Sequence, residues 1–409
     1  MRRVLLALCV AASTVEAQRN VPHDSVIVSL ITMGQGSEVF ERFGHNAIRV
    51  HNLRTGFDLS YNWGTFSFDE PHFIQRFLTG ETNYWVQAIP SEPMFAYYRE
   101  QHRSVFEQEL HLTPAEKDSL TRFIVWNSSD EHKFYRYDYY RDNCSTRVRD
   151  ALDHALGGAL KRASLARANG VSYRSETLRL ANSFPLINFG MDFVLGSRAD
   201  STLSGWEEAF IPMRLRDIVH DALRTAPDGA TSPVVLRETV IVADSTFTEA
   251  TAAPKYLVAG LLAGIALGAL LVALSFATGA AGRGTLGVLA SAIHGLLGVL
   301  GLLLLLAGSV TRHVYMGHNV NVLVASPLSF IPMVLIPLAF RLNARERMRK
   351  QARDFSYLLL AAALISLVVR LVRGEMHGGI SALAFALPLH ASLSFAVYRV
   401  TTSLRTRAA

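Results

Sequence analysis

Apolar and polar positions divide the chain into two halves that meet near residue 250. Beyond it, five long apolar stretches follow one another, at 256–277, 285–310, 320–340, 357–372 and 380–397. Most approach the roughly 20 residues a helix needs to cross a bilayer. The fourth is short, and Arg370 and Arg373 at its end are expected to snorkel toward the interface. His294 and His390 fall inside spans, where an ionisable group is a functional candidate by default and a neutral histidine bonding between helices is the alternative.

Before residue 250 the pattern is mixed. Residues 25–34, SVIVSLITMG, read as a buried strand rich in Val and Ile. Residues 37–43 suit a short helix. Residues 47–51 and 57–63 predict two strands joined by a turn at Arg54-Thr55-Gly56. A short helix over 73–78 and a strand over 105–112 come next. Thr113, Pro114 and Glu116 form a capping-box start for a helix running to Asn127. The stretch FYRYDYYRDNC reads as a tyrosine-rich loop, after which Asn143 caps a helix over 145–156. A helical pattern over 213–226 and a strand over 234–242 complete the domain and lead to a polar linker. The fold class expected is α+β, a small sheet packed by helices over 18–250, followed by an α-helical five-span membrane domain over 251–409.

Charge gives this arrangement a direction. Met-Arg-Arg followed by VLLALCVAA, with Val15-Glu16-Ala17 as a cleavage site, reads as a secretory signal over 1–17. The segment 341–353, RLNARERMRKQAR, and the tail with Arg399, Arg405 and Arg407 hold the basic residues expected on the cytoplasmic side. With five spans and an exported first domain, both fall in the cytoplasm. The net charge of +6 therefore reflects membrane topology, and a nucleic-acid partner is not expected. The loop between the second and third spans faces outward with His313, His318, Asn319 and Asn321. It either lines a site at the membrane surface or is a solvated loop.

The sequence has two cysteines, and Cys9 falls within the signal. Cys144 is then solitary in an exported domain, which leaves an inert buried thiol, an intermolecular disulfide or a reactive group. A helix start favours the thiolate and is expected to lower its pKa toward roughly 4–7. Arg141 and Arg147 are expected to add positive potential. A thiolate nucleophile needs a base and an orienting group for it. His45, in Phe43-Gly44-His45-Asn46, is the candidate base. Asn62 and Asp58 on the next strand are rival orienters. No cluster of His and Cys has metal-ligand spacing, so no metal or other cofactor is expected.

Taken together, Phe43-Gly44-His45-Asn46-Ala47, Tyr61-Asn62-Trp63-Gly64-Thr65-Phe66 and Asp142-Asn143-Cys144-Ser145-Thr146-Arg147 resemble the periplasmic domain of the Lnb-type bacterial lipoprotein N-acyltransferases. In the outer loop, His313, Asn319-Val320-Asn321 and Ser326-Pro327-Leu328 resemble a stretch of that family's five-helix membrane domain. One departure is Asn46, where the family often has a small hydroxyl residue. The resemblance implies a circularly permuted papain-like (NlpC/P60-like) domain, with Cys144 as nucleophile, His45 as base and Asn62 as orienter. It further implies an acyltransferase of the bacterial inner membrane, its catalytic domain periplasmic. The acyl donor would be a membrane phospholipid and the acceptor the N-terminal amine of a diacylated lipoprotein. Residues 134–140 would border the acyl site. A cell-envelope cysteine hydrolase and a non-catalytic membrane scaffold are the alternatives.

Overall fold

A computed structural model describes residues 25–225, 229–277, 279–374 and 378–406. The expected signal over 1–17, with Cys9, lies outside the described residues, as does Arg407 of the tail. Among the described residues the N-terminal half is a mixed α/β domain built on a seven-stranded antiparallel sheet. Its strands are β1 (Val26–Met33), β2 (His45–Asn52), β3 (Phe57–Thr65), β4 (Asn83–Pro90), β5 (Val105–Leu110), β6 (Phe134–Arg136) and, after a short hairpin of β7 (Leu223–Thr225) and β8 (Thr231–Pro233), β9 (Val235–Val242). The order across the sheet is β6-β4-β3-β2-β1-β5-β9.

The period-two alternation of strands decides which side chains face which layer. Val28 and Leu30 of β1, Ile48 and Val50 of β2, and Tyr61 and Trp63 of β3 share one core with helices α3 (Pro114–Asn127) and α4 (Cys144–Ala155). Ile31, Met33 and Ala47 point the other way, against Met94 and Phe95 of α2 (Ser91–Glu100). With helices on both faces, β1 has no solvated side, and every residue from Val28 to Met33 is buried, the polar Ser29 and Thr32 included. The remaining helices are α1 (Phe73–Thr79), α5 (Ala159–Leu165), α6 (Tyr173–Leu180), α7 (Pro185–Val194), α8 (Gly205–Glu208) and α9 (Pro212–Asp221).

Several expectations change. Residues 134–136 are not loop but the edge strand β6, paired with β4. Residues 37–43 form only a 3₁₀ turn, Val39–Phe43. The helix expected over 213–226 stops at Asp221. Strand β4 and helix α2 were not anticipated.

Among the described residues five helical segments are long and apolar enough to cross a membrane: Leu257–Ser275, Ala280–Ser309, Val320–Ala339, Glu346–Arg373 and Ile380–Leu404. Their helices are α10 (Leu257–Ser275), α11 (Ala280–Ser309), α12 (Phe330–Ala339), α13 (Glu346–Arg373) and α14 (Ile380–Thr406). The third span is broken. Two 3₁₀ turns, Val320–Leu323 and Pro327–Ser329, precede α12. Pro327 has no N–H to continue a helix. The fourth span, expected to be short, is 28 residues long. Arg370 does not snorkel: it is buried, and its Nη2 donates to Asn321 Oδ1 at 2.7 Å.

The loop between the second and third spans docks the two halves instead of standing in solvent. Asn319 Nδ2 donates to Phe193 O and Val194 O, both at 2.9 Å. Asn321 Nδ2 donates to Phe193 O at 2.8 Å. Gly196 N donates to Tyr315 O at 2.7 Å. Between the fourth and fifth spans, Gly379 N donates to Asp192 Oδ1 at 2.9 Å. Asp192 is held in turn by the buried Arg174, which also pairs with Asp200. The loops after α11 and α13 thus meet the N-terminal domain at the same end of the bundle. The basic segment 341–353, after the third span, belongs to the opposite end. Within the bundle His390 Nε2 donates to Val324 O at 3.0 Å, tying the fifth span to the break in the third.

Candidate active site

The ends of β2 and α4 come together at one edge of the core. Asn143 caps α4: its side chain accepts from Thr146 N at 2.9 Å, and Thr146 Oγ1 accepts from Asn143 N at 2.8 Å. Two further bonds, from Asn143 Nδ2 to Tyr139 O and Phe210 O, lock the cap to its surroundings. Cys144, the only cysteine among the described residues, is therefore the first residue of α4. Backbone N–H groups of Asn46, Ser145 and Cys144 itself are directed at its sulfur. Because Asn46 follows His45 on β2, the thiol lies beside the histidine's own backbone.

Gly64 makes this approach possible. It sits at an irregularity in the pairing of β3 with β4 with φ of +94°, and Gly44, just before β2, has φ of +77°. A Cβ on Gly64 would lie 3.5 Å from Cys144 Cβ and 3.5 Å from the Tyr137 ring. A methyl there would be in ordinary contact with both, and it is the positive φ that selects glycine.

His45 and Asn62 are joined: His45 Nε2 and Asn62 Oδ1 are 3.1 Å apart. The rival orienter is elsewhere. Asp58 lies opposite His51 near the far end of β2 and binds Arg49 through both carboxylate oxygens. The structure thus joins Asn62 to His45, sets Cys144 against the backbone of the residue that follows His45, and leaves Asp58 bonded elsewhere.

Electrostatics differ from the expectation of a ready-made thiolate. Burial pushes the Cys144 thiol up to about 11, against the smaller opposing pull of the three backbone N–H groups and Arg103. Burial likewise pulls His45 down to about 4, with Arg103 adding to the effect and the Asn62 hydrogen bond resisting it. At neutral pH the resting site holds a neutral thiol and a neutral imidazole. The helix start does favour the thiolate, but desolvation of the buried sulfur outweighs it. Nor do Arg141 and Arg147 supply the cation. Arg147 pairs with Asp142 and lies over the Tyr135 ring, and Arg141 pairs with Asp138.

Arg103 was not anticipated. It is buried, bonded to Gly34 O through Nε and Nη2 at 3.1 and 3.0 Å, and paired with Glu41 at 3.0 Å. It precedes β5, whose Val105 pairs with Met33 of β1, and Met33 also pairs with His45. That register places a cation beside the histidine, and only the strand order could have revealed it. Tyr135 was anticipated only as part of the tyrosine stretch. Its hydroxyl is buried, has no hydrogen-bond partner among the described residues, and lies 3.8 Å from the Gly64 Cβ position that borders Cys144.

Residues 13–182 match the family model for the Lnb N-terminal periplasmic domain. The match takes in Cys144, His45 and Asn62, and five candidate membrane helices follow it. No curated protein and no solved structure matches the chain.

Proposed function

Starting from a chain whose parts and their order fit an Lnb-type protein, we propose that it is a lipoprotein N-acyltransferase working through a thioester on Cys144. In this reading the N-terminal domain has a circularly permuted papain-like arrangement, its histidine preceding its cysteine. The domain is periplasmic, the spans cross the inner membrane, and the basic segment 341–353 and the C-terminus are cytoplasmic. The observation that carries the reading is the packing of Cys144, at a helix start, against β2, whose His45 is bonded to Asn62 of β3, in a domain bonded to the loops of a five-span bundle.

The chemistry follows from the resting charges. Asn62 Oδ1 can only accept, so His45 donates from Nε2 and keeps Nδ1 as the basic lone pair. As the sulfur attacks an acyl ester of a phospholipid, the thiol proton passes to this imidazole, and a tetrahedral intermediate forms. The N–H groups that face the sulfur, and the unpartnered Tyr135 hydroxyl, are donors available to the developing oxyanion. Collapse breaks the ester C–O bond, His45 returns the proton to the lysophospholipid oxygen, and the acyl group remains on sulfur. The α-amine of a diacylated lipoprotein then attacks the thioester, with His45 taking the amine proton and returning it to the departing thiolate. Both substrates are held in a membrane, and tethering the site to five spans raises their effective concentration at the thiol. The Cys144→Ala variant, expressed in a host without other N-acyltransferases, tests this. Mass spectrometry should show lipoproteins with a free N-terminal amine. Continued N-acylation would defeat the proposal.

A further inference from the structure

Helix α1 has the sequence FIQRFLT, and none of its seven residues is buried. A helix on a globular domain ordinarily turns its apolar stripe inward. Here Ile74, Phe77 and Leu78, spaced to share one face, are 63%, 37% and 63% exposed. Phe68 before the helix and Phe40 of the 3₁₀ turn are also exposed. Ring contacts join them into one patch: Phe40 to Phe66 at 6.0 Å, Phe66 to Phe68 at 5.2 Å, Phe68 to Phe73 at 5.0 Å and Phe73 to Phe77 at 6.2 Å. A contiguous apolar patch of this kind marks an interaction surface, unlike apolar residues scattered singly.

Its position says what it meets. The second span ends at Ser309. Three residues later Arg312 N donates to Thr79 O at 2.8 Å, and His313 Nε2 donates to Phe77 O at 3.0 Å. Gly80, which ends α1, approaches so closely that a Cβ on it would lie 3.1 Å from the Arg312 carbonyl carbon. The C-terminal end of α1 is thus pinned where a bilayer-crossing helix emerges. Arg76 and Arg312 flank the apolar face, each paired with a carboxylate, Glu70 and Glu81. An exposed apolar face with charged flanks, pinned beside the end of a membrane span, has the chemistry of an interfacial helix.

We infer that α1 and the turn around Phe68 seat in the lipid surface of the membrane that the five spans cross. Packed rings continue inward from the patch. Phe66 stacks on Tyr84 at 5.0 Å, Tyr84 meets Tyr137 at 4.5 Å, and Tyr137 borders Gly64 beside Cys144. Under the acyl-transfer reading, this ring series is the way an acyl chain takes from lipid to thiol. The lipid contact itself does not depend on that reading.

The test uses the full chain in proteoliposomes of phosphatidylethanolamine and phosphatidylglycerol, with p-benzoylphenylalanine in place of Ile74, Leu78 or Leu53. Leu53 is 59% exposed but follows β2 at the end of the sheet away from α1, roughly 25 Å along the strand. After irradiation, mass spectrometry should find phospholipid adducts at 74 and 78 severalfold above those at 53. Adduct levels at both positions no higher than at 53 would overturn the inference. So would cross-links to protein in place of lipid, which would make the patch a protein-binding surface. Adducts form without turnover, so this result and the Cys144→Ala result can fail separately.

Discussion

His45 and Asn62 face each other across adjacent strands, with the imidazole Nε2 3.1 Å from the amide oxygen. Asn62 cannot turn its amide round without losing the bond from its Nδ2 to Ser60 O at 3.0 Å, so its oxygen is committed to the histidine. Asn62→Ala removes this constraint, and the imidazole then samples the tautomer that has no lone pair on Nδ1. Thioester formation should slow on the order of 10- to 100-fold, within the range that positioned proton transfer contributes, with KM for the phospholipid little changed. Asn62→Asp should restore the orientation and raise the His45 pKa through its charge, moving the acid limb of the rate profile to higher pH. A KM rise without a fall in kcat would show that Asn62 serves substrate binding instead.

Cys144 should behave as a protected thiol. Alkylation of the native protein by iodoacetamide, read as the mass of the Cys144 peptide, should be slow at pH 7 and climb above pH 9 toward about 11. A plateau already reached below pH 7 would indicate a preformed thiolate–imidazolium pair. Stability follows the same shifts. His45 titrates at about 4, below its ordinary 6.5, so the unfolded chain takes up a proton first. Stability from this group is lost as pH falls from 6.5 toward 4. Cys144 titrates above its ordinary 9.0, so its cost appears as pH rises from 9 toward 11.

The Tyr135 hydroxyl is buried without a partner among the described residues. Tyr135→Phe therefore breaks no hydrogen bond of the resting protein and should leave thermal stability unchanged or slightly higher. If the hydroxyl donates to the oxyanion, kcat should fall on the order of 100-fold, as for other single oxyanion donors. Unchanged kcat would assign Tyr135 to packing alone.

Gly64→Ala tests the close approach of β3 to the cysteine. The φ of +94° alone should cost about 1–2 kcal/mol. The new methyl also meets Cys144 Cβ and Tyr137 at 3.5 Å, ordinary contact distances that fill the space over the nucleophile. A lower apparent unfolding temperature together with slower Cys144 alkylation is expected. Full stability and an unchanged alkylation rate would contradict this view of the site.

Local signals carried the sequence reading a long way. Asn143 and Thr113 cap helices because their oxygens satisfy N–H groups within three residues; α3 begins where expected and α4 one residue earlier, at Cys144. His45 and Asn62 stood out on two strands joined by a short turn, so a partner for His45 on the next strand was legible, while the choice of Asn62 over Asp58 depends on the register of β2 with β3. What was not legible depends on strand order. Residues 134–136 look like a tyrosine loop until β4 offers an edge to pair with. The alternation of Tyr84 and Val86 inward along β4 is visible once sought, but it lies between two polar segments. Arg103 reaches the site only because β5 pairs with β1. The sulfur's raised pKa could not be read from its helix position, since desolvation depends on how closely the sheet, Tyr135 and Tyr137 enclose it.

The central claim, that Cys144 carries the acyl group, can be tested with no lipoprotein present. Purified full-length protein is incubated with proteoliposomes of a phospholipid of defined chain length, and the Cys144 peptide is weighed by mass spectrometry. The account predicts one acyl chain of that length on Cys144, released by neutral hydroxylamine, much reduced in His45→Ala and absent in Cys144→Ser. An unmodified Cys144 peptide at every time point, while lipoproteins still become N-acylated by the same preparation, would contradict it.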